Sequence, residues 1–220
     1  MAAKNIIYKT VGGQSLKFGE CTGKLQHIPN LSTSPAMNLN CLARVKNSDS
    51  ICANCYAFKS IKVFPNLAKM LKVNSEILST ELIPEFKTST IYFRFESFGD
   101  IINTQYHLQN FLNVCNWNKH TKFALWTKHI TSVEKYLSKV GKPENLQLVY
   151  SSPILNKQTN IDKFKFVDKV FTVYSKEFAE KNNIGINCFT KCFGCGLCYE
   201  KNEVKYINEI IKSDQKKGKK

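Results

Sequence analysis

The stretch TIYFRFES, residues 90–97, decides how the rest of the chain is read. It is rich in β-branched and aromatic residues, so it predicts a strand. It runs out at Gly99 and Asp100, where a turn is expected. The stretches KFALWTK (122–128), NLQLVYSS (145–152) and KVFTVYS (169–175) read the same way. Helical spacing fills the gaps between them. NLAKMLKVNSEILST (66–80) places Leu67, Met70, Leu71, Val73, Ile77 and Leu78 on one face. TQYHLQNFLNVCNW (104–117), SVEKYLSKV (132–140, capped by Thr131 or Ser132) and KEFAEKN (176–182) are further helices, and EVKYINEIIKS (203–213) is expected to be the last.

Strands alternating with helices over residues 65–182 predict an α/β fold with a parallel sheet of four or five strands and crossover helices. A closed eight-unit barrel takes about 250 residues. The expectation is therefore a partial (β/α) barrel-like sheet in a single domain, 1–220. An irregular cysteine-bearing region (1–60) would precede the β/α core (61–183), and a C-terminal cysteine cluster, helix and basic tail (184–220) would follow it. Ligands of such sheets collect at the C-terminal ends of the strands. That directs attention to Glu96, Ser97, Gly99 and Asp100, to Thr127, Lys128 and His129, and to Ser151 and Ser152. Upstream, TVGGQSLKFGE suggests a turn between two short extended pieces, and HIPNLSTSPAMNLN reads as loop.

The chain has 220 residues and a formal net charge of +15, almost all of it lysine, since Arg44 and Arg94 are the only arginines. A charge of this size favours polyanionic partners, nucleic acid above all, although a solvated lysine surface gives the same composition. No apolar run is long enough for a membrane span, so no membrane partner is expected. The start, MAAKNIIYKT, has no secretory pattern, which predicts a cytoplasmic protein. In a reducing compartment, clustered cysteines point to metal or redox chemistry rather than disulfides.

The nine cysteines fall into groups. Cys188, Cys192, Cys195 and Cys198 form C-x3-C-x2-C-x2-C, a spacing that lets four thiolates converge. Iron–sulfur clusters use such tight runs; zinc, usually held by two separated C-x2-C knuckles, is the alternative metal. Phe189, Phe193, Gly194, Gly196 and Leu197 between the thiols leave room for a cluster and shield it. Cys41, Cys52 and Cys55 form a second set, C-x10-C-x2-C. Three thiolates on a four-iron cluster leave one iron open to a ligand, which is the logic of a catalytic site. If Cys21 or a C-terminal cysteine supplied a fourth ligand, the site would be closed and structural. Cys115 lies on the apolar face of a predicted helix and reads as core.

Arg94 stands between Phe93 and Phe95, so it faces the other side of the strand; it suits a carboxylate or phosphate, or an internal pair with Glu96 or Asp100. Glu96 and Asp100 can bind an amine or ribose hydroxyls, and Asp100 equally suits a turn. Lys128 and His129 can line a pocket at a strand end. His27, His107 and His120 show no metal spacing, and no phosphate loop, nucleophile elbow or paired-carboxylate signature is present.

CANCYAFKS (52–60), then RFESFGD (94–100), then FALWTKH (123–129) carry a resemblance. They are similar to phage and bacterial proteins related to radical S-adenosylmethionine enzymes, and in particular resemble the phage gene product 88 family. The resemblance covers roughly residues 25–155 together with the later cysteines, and Cys52-x2-Cys55-Tyr56-Ala57 is its most specific part. It implies a [4Fe–4S] cluster on Cys41, Cys52 and Cys55 and possible binding of S-adenosylmethionine near Tyr56, Arg94, Glu96, Asp100 and Lys128. It also implies a second cluster on Cys188, Cys192, Cys195 and Cys198 and, for an enzyme, an electron donor; the basic surface points to nucleic acid or a nucleotide as substrate. Cys188-x3-Cys192-x2-Cys195 has the radical-enzyme spacing, but that loop belongs before the barrel strands, where Cys41, Cys52 and Cys55 lie. The alternative is a non-catalytic nucleic-acid-binding protein with structural zinc or iron–sulfur sites.

Overall fold

Residues 8–9, 13–20 and 22–212 are described by a computed structural model. The β/α alternation resolves into one seven-stranded sheet in the order β3–β4–β5–β6–β7–β8–β9. A small hairpin, β1 (Tyr8–Lys9) with β2 (Ser15–Leu16), supplies the turn between extended pieces expected there. Strand β3 (Gly19–Glu20) runs antiparallel to β4 (Pro29–Leu31). From β4 onward every pairing is parallel, through β5 (Tyr92–Phe95), β6 (Lys122–Thr127), β7 (Leu146–Ser151), β8 (Lys169–Tyr174) and β9 (Tyr206–Ile210). Six parallel strands in strict chain order mean that each crossover steps the same way. With a fixed crossover hand, the main crossover helices, within 65–80, 109–117 and 130–140, then collect on one face of the sheet. The result is a barrel-like wall whose edge strands, β3 and β9, stay apart in the strand order.

Between β4 and β5 come α1 (Leu39–Val45), α2 (Tyr56–Val63) and α3 (Pro65–Thr80). A π-helical turn at Thr104–Leu108 leads into α4 (Gln109–Trp117), and α5 (Ile130–Val140) joins β6 to β7. The segment from β7 to β8 contains a short 3-10 turn, Ile161–Lys163; α6 (Lys176–Lys181) and the one-turn α7 (Cys192–Cys195) lie between β8 and β9.

Period-two alternation divides the strand residues cleanly. Phe93, Phe95, Phe123, Leu125, Leu146, Leu148 and Val170 face the helices and pack with Ile77 and Leu78 of α3, Phe111 of α4 and Val133 of α5. Cys115 is fully buried in this core, as its place on the apolar helix face predicts. The opposite face carries Tyr92, Ala124, Trp126, Val149, Phe171, Val173 and Ile207, and the C-terminal cysteine segment covers it.

Two elements differ from the reading of the sequence. The segment 203–213, expected to be helical, contains β9. Ile207 is fully buried on the cysteine side while Tyr206 packs on the helix side, so successive side chains turn to opposite faces of the sheet. The free edge of β8 offers five register pairs, from Val170↔Tyr206 to Tyr174↔Ile210, and this tertiary pairing overrides the local helical spacing. The stretch 27–40, read as loop, supplies β4 and the start of α1; β4 has only three residues, too few to show a period. With both included, the sheet has six parallel strands rather than four or five. Helix α5 begins at Ile130 with His129 at its cap, earlier than the Thr131 or Ser132 cap expected. Among the described residues no helix is long and apolar enough to cross a membrane.

Candidate metal centres

The three N-terminal cysteines lie over the C-terminal ends of β5, β6 and β7, and side-chain caps fix the turns that carry Cys41 and Cys52. Asn38 caps α1, its side-chain oxygen accepting from the N–H groups of Asn40 (2.9 Å) and Cys41 (3.2 Å). The Asn38 amide nitrogen donates to the carbonyls of Asp100 (2.8 Å) and Ile101 (3.0 Å). One side chain thereby places Cys41 against the loop that follows β5. Ser50 caps the 3-10 turn Ile51–Asn54, accepting from Cys52 N–H at 3.2 Å. The Ile51 N–H donates to the Pro153 carbonyl (2.8 Å), which ties Cys52 to the segment after β7. Cys55 is the residue before α2, where helix-end amides favour an anion.

Burial pushes the Cys41 thiol up, and Asp100, Cys52, Glu96 and Cys55 add to the rise. Burial also raises Cys55, against the amides of Phe58 and Ala57; nearby Cys52 raises it further and Lys128 opposes it. These mutual influences place the three thiols within electrostatic reach of one another and of Glu96, Asp100 and Lys128.

The strand-end residues form a continuous polar lattice around them. Asp100 accepts at Oδ1 from the Thr127 hydroxyl (2.5 Å) and the Ile101 N–H (2.8 Å), and at Oδ2 from the Lys128 N–H (2.8 Å). Lys128 Nζ donates to the Ser151 hydroxyl at 2.6 Å, and Arg44 donates to the Lys128 carbonyl at 3.0 Å. His129 lies 3.2 Å from the Asn40 amide nitrogen. The Tyr56 hydroxyl donates to the Ser97 carbonyl, joining α2 to the end of β5, while half of the Tyr56 side chain remains exposed. The ends of β5, β6 and β7 are thus cross-linked beneath the thiols.

Glu96 takes a different role from Asp100. It is buried with φ +56, and Thr33 donates to it from both its N–H (3.1 Å) and its hydroxyl (2.9 Å). His107 Nε2 lies 2.9 Å from Glu96 Oε1. The Ile102 N–H donates to His107 Nδ1, so the ring carries its proton on Nε2, the nitrogen that lies against Glu96. Burial pushes the Glu96 carboxyl up while His107 and Thr33 hold it down. Its oxygens are committed to protein partners, as are those of Asp100.

The C-terminal four are placed elsewhere. Cys188, Cys192, Cys195 and Cys198 all line one small cavity, shared with Leu197, Tyr199 and Ile207 and partly open to solvent. The Cys188 N–H donates to the Asn208 carbonyl of β9 (3.1 Å). Gly196, at φ +64, reverses the chain after α7, and the Tyr199 N–H closes the turn on its carbonyl (2.8 Å). Cys192 and Cys198 rest on the sheet face among Tyr92, Trp126 and Phe171. Burial raises Cys188 to about 11 and Cys198 to about 12. The described cysteines are free thiols, and among the described residues no three His, Cys, Asp or Glu side chains already converge on a single ion position.

Arg94 does not join Tyr56, Glu96, Asp100 and Lys128 at the strand ends. It points to the cysteine-covered face, 9% exposed, with its guanidinium carbon 4.2 Å from the centre of the Trp126 ring. Cys21, a possible fourth ligand, lies outside the described residues. The sequence reading overlooked Asn38, Ser50, Thr33 and Lys24. The first two had a readable signal, a capping residue immediately before a short helical turn.

The model of the family described as gene product 88 matches residues 13–218. Neither a curated protein nor a solved structure matches the chain. With nearly the whole length covered, the chain belongs to the gene product 88 family.

Proposed function

We propose that this member of the gene product 88 family is an iron–sulfur enzyme of the radical S-adenosylmethionine type. Its reaction centre would be Cys41, Cys52 and Cys55. The observation that carries the reading is the seating of these three thiols over the C-terminal ends of parallel strands, beside Asp100 and Lys128. Three thiolates leave one position of a four-iron cluster for a ligand, and strand ends are where such a sheet binds ligands. When bound and reduced by one electron from an external donor, the cluster would cleave S-adenosylmethionine to methionine and a 5′-deoxyadenosyl radical that takes hydrogen from the substrate. The chain's own part is to bind and orient. Tyr56 and Asn38 fix the thiol-bearing helices to the end of β5. Lys128, held between Asp100 and Ser151, offers a cation to a carboxylate or phosphate. Cys188, Cys192, Cys195 and Cys198 would hold a second, closed cluster. The net charge of +15 favours nucleic acid or a nucleotide as substrate.

The test is to incubate anaerobically reconstituted protein with S-adenosylmethionine and a strong reductant and to measure 5′-deoxyadenosine. Turnover that disappears in Cys52→Ala is expected; none in a protein that holds iron would overturn the reading. The same net charge favours a second reading, a non-catalytic nucleic-acid-binding protein stapled by zinc or iron–sulfur sites. It requires steeply salt-dependent binding of DNA or RNA without cofactor cleavage.

A further inference from the structure

Two cations stand close behind the cavity bounded by Cys188, Cys192, Cys195 and Cys198. Lys24 reaches in from the segment between β3 and β4. Its Nζ donates to the Cys188 carbonyl (2.7 Å), lies 3.8 Å from the Cys188 sulfur, and pairs with Glu209 of β9 at 2.5 Å. Arg94 approaches from the sheet, buried and stacked on Trp126, which shares one apolar cluster with Cys192 and Cys198 and another with Cys188 and Cys198. The guanidinium charge acts on Cys192, Cys198 and Tyr199, and the Lys24 charge acts on Cys188 and Cys192.

Burying a charge is costly unless an opposite charge stands near. Four thiolates around a divalent metal, or around an oxidised four-iron core, carry roughly two net negative charges. Two fixed cations match that, whichever metal is present. Stacking on Trp126 offsets part of the cost of burying the guanidinium and fixes its direction. Glu209, on the other side of Lys24, is an anion that opposes the match.

We infer that Arg94 and Lys24 are charge-compensating residues of the C-terminal metal–thiolate site, with Glu209 as the opposing anion that weakens it. This rests on the reading of Cys188, Cys192, Cys195 and Cys198 as a metal site, and it is independent of any chemistry at the N-terminal three. Arg94 is thereby assigned to this site rather than to the recognition of a cofactor at the strand ends.

The test uses the full chain with Cys41, Cys52 and Cys55 changed to serine, made metal-free and titrated anaerobically with cobalt(II) alone. Cobalt bound by thiolates absorbs strongly, which reports the site whether the natural metal is iron or zinc. Arg94→Gln is expected to weaken cobalt binding at least tenfold, and Arg94→Lys to restore most of it. Lys24→Gln, at a partly exposed position that leaves the core intact, is expected to weaken binding several-fold. Glu209→Gln is expected to tighten it, a direction that loss of packing would not give. Unchanged affinity in both Arg94→Gln and Lys24→Gln, or weaker binding in Glu209→Gln, would overturn the assignment. So would the absence of a thiolate–cobalt band in the parent chain. That last outcome would leave cofactor cleavage at Cys41, Cys52 and Cys55 to be decided by its own assay.

Discussion

Glu96 follows β5 in the left-handed region, φ +56, and is held there by two donor groups of Thr33 and by its contact with His107. A non-glycine residue in this region carries a backbone cost of about 1–2 kcal/mol, so the surrounding bonds must over-determine the conformation. His107 is the key partner, because its Nδ1 is committed to the Ile102 N–H and its Nε2–H therefore faces the carboxylate. His107→Phe keeps the ring contact with Phe111 but removes the hydrogen bond from Ile102 and the polar contact with Glu96. It is expected to lower unfolding free energy by about 1–3 kcal/mol, read by urea denaturation; unchanged stability would refute the role given to His107. That role was not legible in the sequence, where His107 showed only that it lacked metal spacing. The strand-end placement of Asp100 and Lys128 was legible, because a strand boundary followed by Gly99 can be read locally. The surroundings of Arg94 were legible only in part. Period two put it opposite Phe93 and Phe95, but what covers that face comes from residues a hundred positions away.

Among the elements, the turn that carries Cys192, Cys195 and Cys198 depends on Gly196. Its φ of +64 disfavours any side chain, and a Cβ there would stand 2.6 Å from the Tyr92 hydroxyl oxygen, which itself donates to Glu200. Gly196→Ala is expected to empty the C-terminal site, lowering bound iron by about half, from about eight per chain to about four. Gly194→Ala, where a Cβ would meet nothing within 4 Å, should retain full iron and serves as the control. Equal iron in both variants would contradict the geometry of the turn. The neighbouring β9 shows why element type was misread there. EVKYINEIIKS has apolar residues at spacings that suit either period, and the choice was made by the open edge of β8, which no local window contains. Strand β4 was missed because three residues among turn formers carry no periodic signal. The long elements α3 and β6 to β8 were read within a residue of their ends, since burial there follows the sequence pattern directly.

At the scale of the whole molecule, chain order sets the arrangement of the two cysteine groups. Six parallel strands added one after another put the helices on one face, leave the other free for the C-terminal segment, and point all six C-terminal ends the same way. The first cysteine group occupies those ends and the second covers the free face, so one sheet supports two thiol sites of different character. The first keeps three thiols beside Asp100 and Lys128; the second gathers four around one cavity flanked by Arg94 and Lys24. The spacings of both groups were plain in the sequence, but their seats on the sheet depended on the fold.

The most direct test is the iron, acid-labile sulfide and zinc content of the anaerobically purified protein. The account expects about eight iron and eight sulfide per chain, two four-iron clusters, and a brown colour. One or two zinc per chain, with neither sulfide nor colour, would contradict it.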